Sequence, residues 1–409
     1  MDNDNKYYYW IICILLIAGL GCSAVYSTQL FDGIKTAKTF CFVMVVCSML
    51  FTLSVSVMRK KKDFTASLNL PDILLALYAI WAFIRLLTSD TGSVQNLYFW
   101  EFSACVLWYF CLRSFFSTFR GEEKYILFSI VLLGYVQLIV CLLQLTGVMN
   151  AYSPIFPVSG TFDNTSELCI YLTCILPVAA SAGLRASETT ATGKFIRAVC
   201  LFYVLGWLSL VLLLGSRTSL LSGVLGIVIF MGFQTGLFGY LKRKMNSVVH
   251  KILISMVLLL TVCGLIFMLT QFKKDSANGR LLIWKVAWSG IKETPLQGQG
   301  FNAFQAKYGH YQASYFQKQT NNQQEVMIAD NMTVAMNDFV ETAFNLGFIG
   351  LFLFVSFWLS LCTYIIASLV SERSRTMTRY CRCLLPLLAL YECRQLLQQC
   401  GRTVFLSSR

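Results

Sequence analysis

The sequence predicts an all-α fold: a polytopic transmembrane helical bundle of about ten spans with one long extracytoplasmic loop. Three observations predict it. Of 409 residues, 56% are hydrophobic and only 13% charged, with a mean hydropathy of +0.63. Soluble domains carry about 25% charged residues, and disordered chains are poor in apolar ones. The apolar residues come in blocks near the ~20 residues that cross a bilayer of about 30 Å, not in the alternating ~10-residue segments of a barrel. The third observation is charge placement. The net charge of +13 gathers between alternate blocks, as in cytoplasmic loops, and this argues against a nucleic-acid surface.

The spans run over about 7–27, 38–58, 71–88, 97–117, 125–147, 166–185, 197–215, 218–238, 250–271 and 340–369. Asp2 and Asp4 precede the first, where a signal peptide would be basic, so it reads as a retained span. Basic clusters then set the orientation. Arg59-Lys60-Lys61-Lys62 follows span two, Arg120 and Lys124 follow span four, and Arg185, Lys194 and Arg197 follow span six. Lys242-Arg243-Lys244 follows span eight, and Arg373, Arg375 and Arg379 follow span ten. All five fall on one side and predict a cytoplasmic N-terminus. The organisation is therefore a nine-span bundle over 1–271, a loop domain over 272–339, a tenth span over 340–370 and a tail over 371–409. The tail holds seven Arg, four Cys and one short apolar run, and it reads as a truncated or frame-altered C-terminus. Of sixteen Cys, twelve lie in spans and four in the tail, so no disulfide framework is expected. No metal-ligand pattern or cofactor motif is present, and no cofactor is expected.

The loop over 272–339 is too long for a connector. Leu281, Trp284, Trp288 and Ile291 share one face of a helix, which Asp275, Ser276 or Asn278 could cap and Pro295 stops. This helix either lies on the membrane surface or packs on other loop segments. Chemistry-bearing residues converge on the outside face. Arg217, in Gly215-Ser216-Arg217-Thr218-Ser219 between spans seven and eight, is a cation at a costly depth. Its guanidinium suits two-pronged phosphate binding, though a snorkelling Arg would look the same. Arg280 is a second outside cation, and Arg85 near the end of span three reads as snorkelling. In Ser159-Gly160-Thr161-Phe162-Asp163-Asn164, Asp163 and Asn164 could bind sugar hydroxyls, or could simply turn the chain and cap a helix. Asp338 and Glu341 share a helical face, where either could serve as a general base or as a first-turn acid favoured by the helix dipole. His310 is the one loop histidine. Gln137 and Gln144, seven apart in span five, read as hydrogen-bonding between helices.

Several segments resemble the O-antigen ligase family. They are Gly160-Thr161-Phe162-Asp163-Asn164 with Pro177 beyond it; Ser216-Arg217-Thr218-Ser219; Gly279-Arg280 with Trp284 and the turn Pro295-Leu296-Gln297-Gly298-Gln299-Gly300-Phe301; and Asn337-Asp338 leading to Gly347-Phe348-Ile349-Gly350. Gln312-Ala313-Ser314-Tyr315-Phe316 and Ala329-Asp330-Asn331 look like a Bacteroides-type branch. The resemblance covers about 10–370. It implies a GT-C-like, metal-independent membrane transferase on the outer side of a bacterial inner membrane. Such an enzyme moves a glycan from undecaprenyl diphosphate to an acceptor hydroxyl on lipid A-core, a similar lipid or a protein. It implies that Arg217 and Arg280 bind the diphosphate; Asn164 and Asn337 are the candidates for the glycan. Where the family carries a His before the Asn of the fourth motif, this chain has Met336, so His310, Asp338 or Glu341 would have to act as base. A polysaccharide polymerase uses similar parts, and a lipid-linked glycan transporter is the alternative of another class.

Overall fold

The computed structural model describes residues 3–22, 25, 35–60, 68–89, 97–118, 124–151, 156–162, 164–234, 256, 274–318, 323–329 and 332–371. Among these the secondary structure is helical, with no strand. Eight helices come first: α1 (Asn3–Gly21), α2 (Lys35–Lys60), α3 (Leu70–Thr88), α4 (Leu97–Thr118), α5 (Lys124–Leu145), α6 (Thr165–Arg185), α7 (Ala191–Leu213) and α8 (Arg217–Gln234). Then follow α9 (Lys274–Glu293), α10 (Ala303–Lys318), α11 (Gln323–Ile328) and the long α12 (Asp338–Ser371).

Six helical segments are long and apolar enough to cross a membrane: Thr36–Ser56, Leu70–Thr88, Phe128–Leu145, Thr165–Leu184, Ala191–Leu213 and Asp338–Tyr364. They coincide with expected spans two, three, five, six, seven and ten. The first and eighth appear as shorter apolar helices, Tyr7–Gly21 and Arg217–Val228. The fourth is helical but carries Glu101 and Arg113. The ninth lies outside the described residues except for Met256, and the tail does so beyond Ser371.

Local chemistry explains the helix starts. Asn164 caps α6 by accepting from Ser166 N at 2.9 Å, and Thr190 caps α7 by accepting from Gly193 N at 3.1 Å. At α3, Pro71 stands in the first turn and Asp72 accepts from Asn69 N at 2.8 Å. The main core joins α1, α2 and α4–α8 around buried Trp108, Tyr203 and Trp207. Helices approach closely where glycine faces these rings. A Cβ at Gly19 would stand 2.5 Å from Trp108, and one at Gly223 would stand 2.2 Å from Trp207. A second core is made by α9, α10 and the head of α12, through Leu282, Val286, Phe304, Tyr308 and Phe344. Leu75, Tyr109, Phe357 and Leu361 join α3, α4 and α12.

The helix expected over 281–291, α9, packs on α10 and α12, and its buried stripe is rotated from the expected one. Leu282, Ile283, Val286, Ala287 and Ile291 face inward, whereas Leu281 and Trp288 are exposed. Trp284 turns in to donate to Ala335 O at 3.0 Å. Asp275, Ser276 and Asn278 lie inside the helix, which begins at Lys274.

Candidate functional site

The site is built at the head of α12, which is not a continuous helix. Gly347 breaks it with φ 70° and ψ −171°, a conformation open essentially to glycine. A break within a membrane span exposes backbone groups that must find partners. The turn over 295–300 supplies them. Gln299 N donates to Phe344 O at 2.8 Å and Gly300 N to Asn345 O at 2.9 Å; in return, Phe348 N donates to Pro295 O at 2.8 Å and Ile349 N to Leu296 O at 3.3 Å. The two backbones touch, since a Cβ at Gly298 would lie 2.3 Å from Gly347 N. Trp81 of α3 satisfies the remaining carbonyl, donating from Nε1 to Leu346 O at 2.9 Å.

This crossing opens a cavity of about 180 Å³ between α3, α4 and α12. Tyr78, Tyr98, Phe102 and Phe301 supply aromatic walls, with Phe354, Phe357 and Trp358 from the far half of α12. Polar groups enter from the near half and its surroundings: Glu341, Thr342, Asn345, Asn302 and Thr333. Aromatic walls with a few convergent polar groups are the usual make-up of a small-molecule site. A second, almost wholly apolar groove between α3 and α4 shares Phe102, Val106 and Phe301 with it, and Ala79 and Ala82 make its room.

The entrance to α12 fixes the carboxylate. Met336 takes a left-handed φ of 52°, which turns the chain. Asn337 then caps the helix, its Oδ1 accepting from Phe339 N at 3.0 Å and Val340 N at 3.3 Å. Glu341 reaches back to accept from Ala335 N at 3.2 Å, and its side chain lines the cavity. Asn345 spans the crossing, accepting from Phe304 N at 2.8 Å to start α10.

Of the expected site residues, the structure brings Glu341 to the cavity. Asp338 lies half-buried in the same first turn, outside the cavity lining. Asn337 serves as a helix cap. His310 stands exposed on α10 with its ring 6.1 Å from that of Tyr311. Arg280 is exposed on α9. Arg217 is half-buried at the start of α8, which packs on α6 and α7, and Ser216 beside it donates to Ser219 Oγ at 2.9 Å. Asn164 caps α6, and Asp163, Asp330 and Asn331 lie outside the described residues.

Two readings change, and one buried cation is new. Arg85 does not snorkel: it is buried, donating to Thr88 Oγ1 at 2.8 Å and to Gly298 O at 3.1 Å. Gln137 and Gln144 do not bridge helices but hold the loop over 158–162. Gln144 accepts from Ser159 N and Gly160 N at 3.0 and 2.8 Å, and Gln137 donates to Thr161 Oγ1 at 2.8 Å. Lys38, which sequence reasoning passed over, is fully buried at the start of α2. It donates to Thr161 O at 2.6 Å and lies 4.6 Å over the Phe162 ring. Beside it, Thr39 donates to the buried Glu101 of α4. A Lys and a Glu each just inside a span were the available signal.

Outside the spans, Glu325 pins the short α11. Lys285 Nζ donates to it at 2.7 Å and Tyr315 Oη at 2.8 Å. These bonds hold the Glu325 carboxyl below its ordinary value and raise Lys285. Burial and the neighbouring Glu293 push Tyr311 upward.

The fold and the site together define a multi-pass helical membrane protein with a helical cap docked on a broken span, α12. Residues 201–355, from α7 through the break at Gly347, match the family model described as O-antigen ligase. That segment, less than half of the chain, is similar to the O-antigen ligase family, which supports a membrane glycan transferase of the ligase or polymerase type. No curated protein matches the chain.

Proposed function

We propose that the chain transfers a glycan from undecaprenyl diphosphate to an acceptor hydroxyl, on lipid A-core or a similar acceptor, at the periplasmic face of a bacterial inner membrane. The observation that carries this reading is the cavity: a carboxylate, two amides and hydroxyls stand among aromatic rings at the head of the broken span. Rings can hold sugar faces, while amides and hydroxyls pair with sugar hydroxyls. In this scheme Glu341 accepts the proton of the acceptor hydroxyl as its oxygen attacks the anomeric carbon. The C–O bond to the diphosphate breaks, and Arg217 and Arg280 offset the charge on the leaving group. The apolar groove between α3 and α4 suits the carrier chain. Asp338 and His310, which do not line the cavity, are secondary candidates for the base. Gln137 and Gln144 are committed to a buried loop, which favours transfer over carriage across the membrane.

The test is the glycan left on the carrier in source cells lacking the gene. Wild type should clear long carrier-linked glycans. R217A and E341Q should leave them, with both proteins present in the membrane at wild-type levels. Accumulation of single repeat units instead would make the chain a polymerase. Wild-type clearance by E341Q would remove the cavity from the scheme.

A further inference from the structure

Arg85 has no part in the scheme above, yet it is a buried cation in α3. It is 9% exposed in the last turn of a membrane span. Its hydrogen-bond partners are a hydroxyl and a carbonyl, Thr88 Oγ1 and Gly298 O, and no carboxylate is among them. Its Nε is buried with no partner among the described residues. A buried cation so placed needs compensating negative potential, and helix C-termini provide it. Two meet here. One is the last turn of α3 itself. The other is the near half of α12, whose Asn345 carbonyl lies against Gly298, the residue Arg85 grips. One turn back on the same face of α3, Trp81 grips Leu346 O. Thus α3 holds both members of the crossing, the broken span through Trp81 and the turn through Arg85.

We infer that Arg85, with Trp81, is a positioning residue: it fixes the turn over 295–300 against the break at Gly347, so that Phe301 and Asn302 face Glu341 and Asn345 across one cavity. The inference rests on the cavity being the transfer site. Lys in place of Arg85 keeps a charge and a donor toward Gly298 O, whereas Gln keeps neither the charge nor the reach.

The test uses the full chain in lipid nanodiscs, comparing wild type, R85K, R85Q and W81F, with I84A on the exposed face of α3 as control. Hydrogen exchange at Gln299, Gly300, Phe348 and Ile349 should quicken roughly tenfold in R85Q and W81F, as expected for a lost anchoring bond, and stay near wild type in R85K and I84A. Cys105 lines the cavity at 5% exposure, and its modification by N-ethylmaleimide, read by mass spectrometry, should rise in the same order. Transfer is measured from carrier-linked glycan to acceptor glycolipid, both extracted from source membranes lacking the gene. R85Q should raise the acceptor KM roughly tenfold with a smaller change in kcat, and R85K should restore it. Wild-type exchange and labelling in both R85Q and W81F would overturn the inference. So would an unchanged KM in R85Q with kcat alone reduced. If wild type shows no transfer, the transferase reading falls, and the exchange and labelling results decide the positioning role by themselves. If R85Q fails to insert, W81F carries the same test, since it removes a hydrogen bond without removing a charge.

Discussion

Replacing Gly347 with Ala should undo the crossing on which the cavity depends. At φ 70° and ψ −171° a side chain is strained by about 1–3 kcal/mol before any contact is counted. The added Cβ would also lie 2.2 Å from Leu296 O, 2.4 Å from Leu296 C and 2.6 Å from Gly298 N. All three are backbone atoms, so no rotamer relieves the clash and the turn must move. Moving it stretches four hydrogen bonds of 2.8–3.3 Å. Losing two of them, at about 1 kcal/mol each, brings the total to roughly 3–5 kcal/mol. The assay is reversible denaturant titration in mixed micelles, with G279A as the companion variant. Gly279 is in α9 with nothing within 4 Å of its Cβ position, so Ala there should stabilise by about 0.5–1 kcal/mol. If G347A stays within about 1 kcal/mol of wild type and Cys105 labelling is unchanged, the crossing does not hold the cavity open and the reasoning fails.

Three further predictions follow from the same contacts. Asn337→Ala removes the α12 cap and should cost about 1 kcal/mol; Asn337→Asp, which can still accept from Phe339 N and Val340 N, should recover most of it in the same titration. Lys38→Met leaves the buried Thr161 carbonyl without its 2.6 Å donor and should cost about 1–3 kcal/mol, and quicker proteolysis near residue 161 would report it. The docking of α11 should depend on pH. The Glu325 carboxyl is held below its ordinary value, so its contribution is full at neutral pH and is lost as pH falls through that depressed value. A spin label at the exposed Met327 should therefore gain mobility in acid, and in E325Q it should be mobile already at neutral pH.

The spans were legible because hydropathy and length suffice for them, and the six strongest fall where the sequence places them. Glu341 was legible as one of two carboxylates on a first helical turn, but not as the one that reaches the cavity. That choice depends on Met336 turning the chain and on Ala335 N holding the carboxylate, and neither has a periodic signature. Arg85 was misread for a related reason. An Arg near a span end ordinarily reaches for the interface, and only the arrival of Gly298 from a distant loop makes burial favourable. Gly298 and Gly347 stood in the sequence as family-like motifs, yet their mutual contact is a tertiary fact. The stripe on α9 was mistaken by a fraction of a turn because Trp residues weigh heavily in any apolar pattern, and Trp288 faces outward.

The bond from Trp81 to Leu346 joins residues 265 positions apart. During synthesis, α3 is made and inserted long before the head of α12 exists to meet it, as domains and segments assemble in N- to C-terminal order. Until then the wall of α3 that will line the cavity faces lipid or whatever else occupies the membrane around it. The bundle of α1, α2 and α4–α8 can form early, since its helices are near neighbours in the chain. The cavity cannot. A nascent chain halted anywhere before residue 346 would hold most of its described helices and none of its site, so membrane integration and competence are acquired at different times, and the second waits for the head of α12.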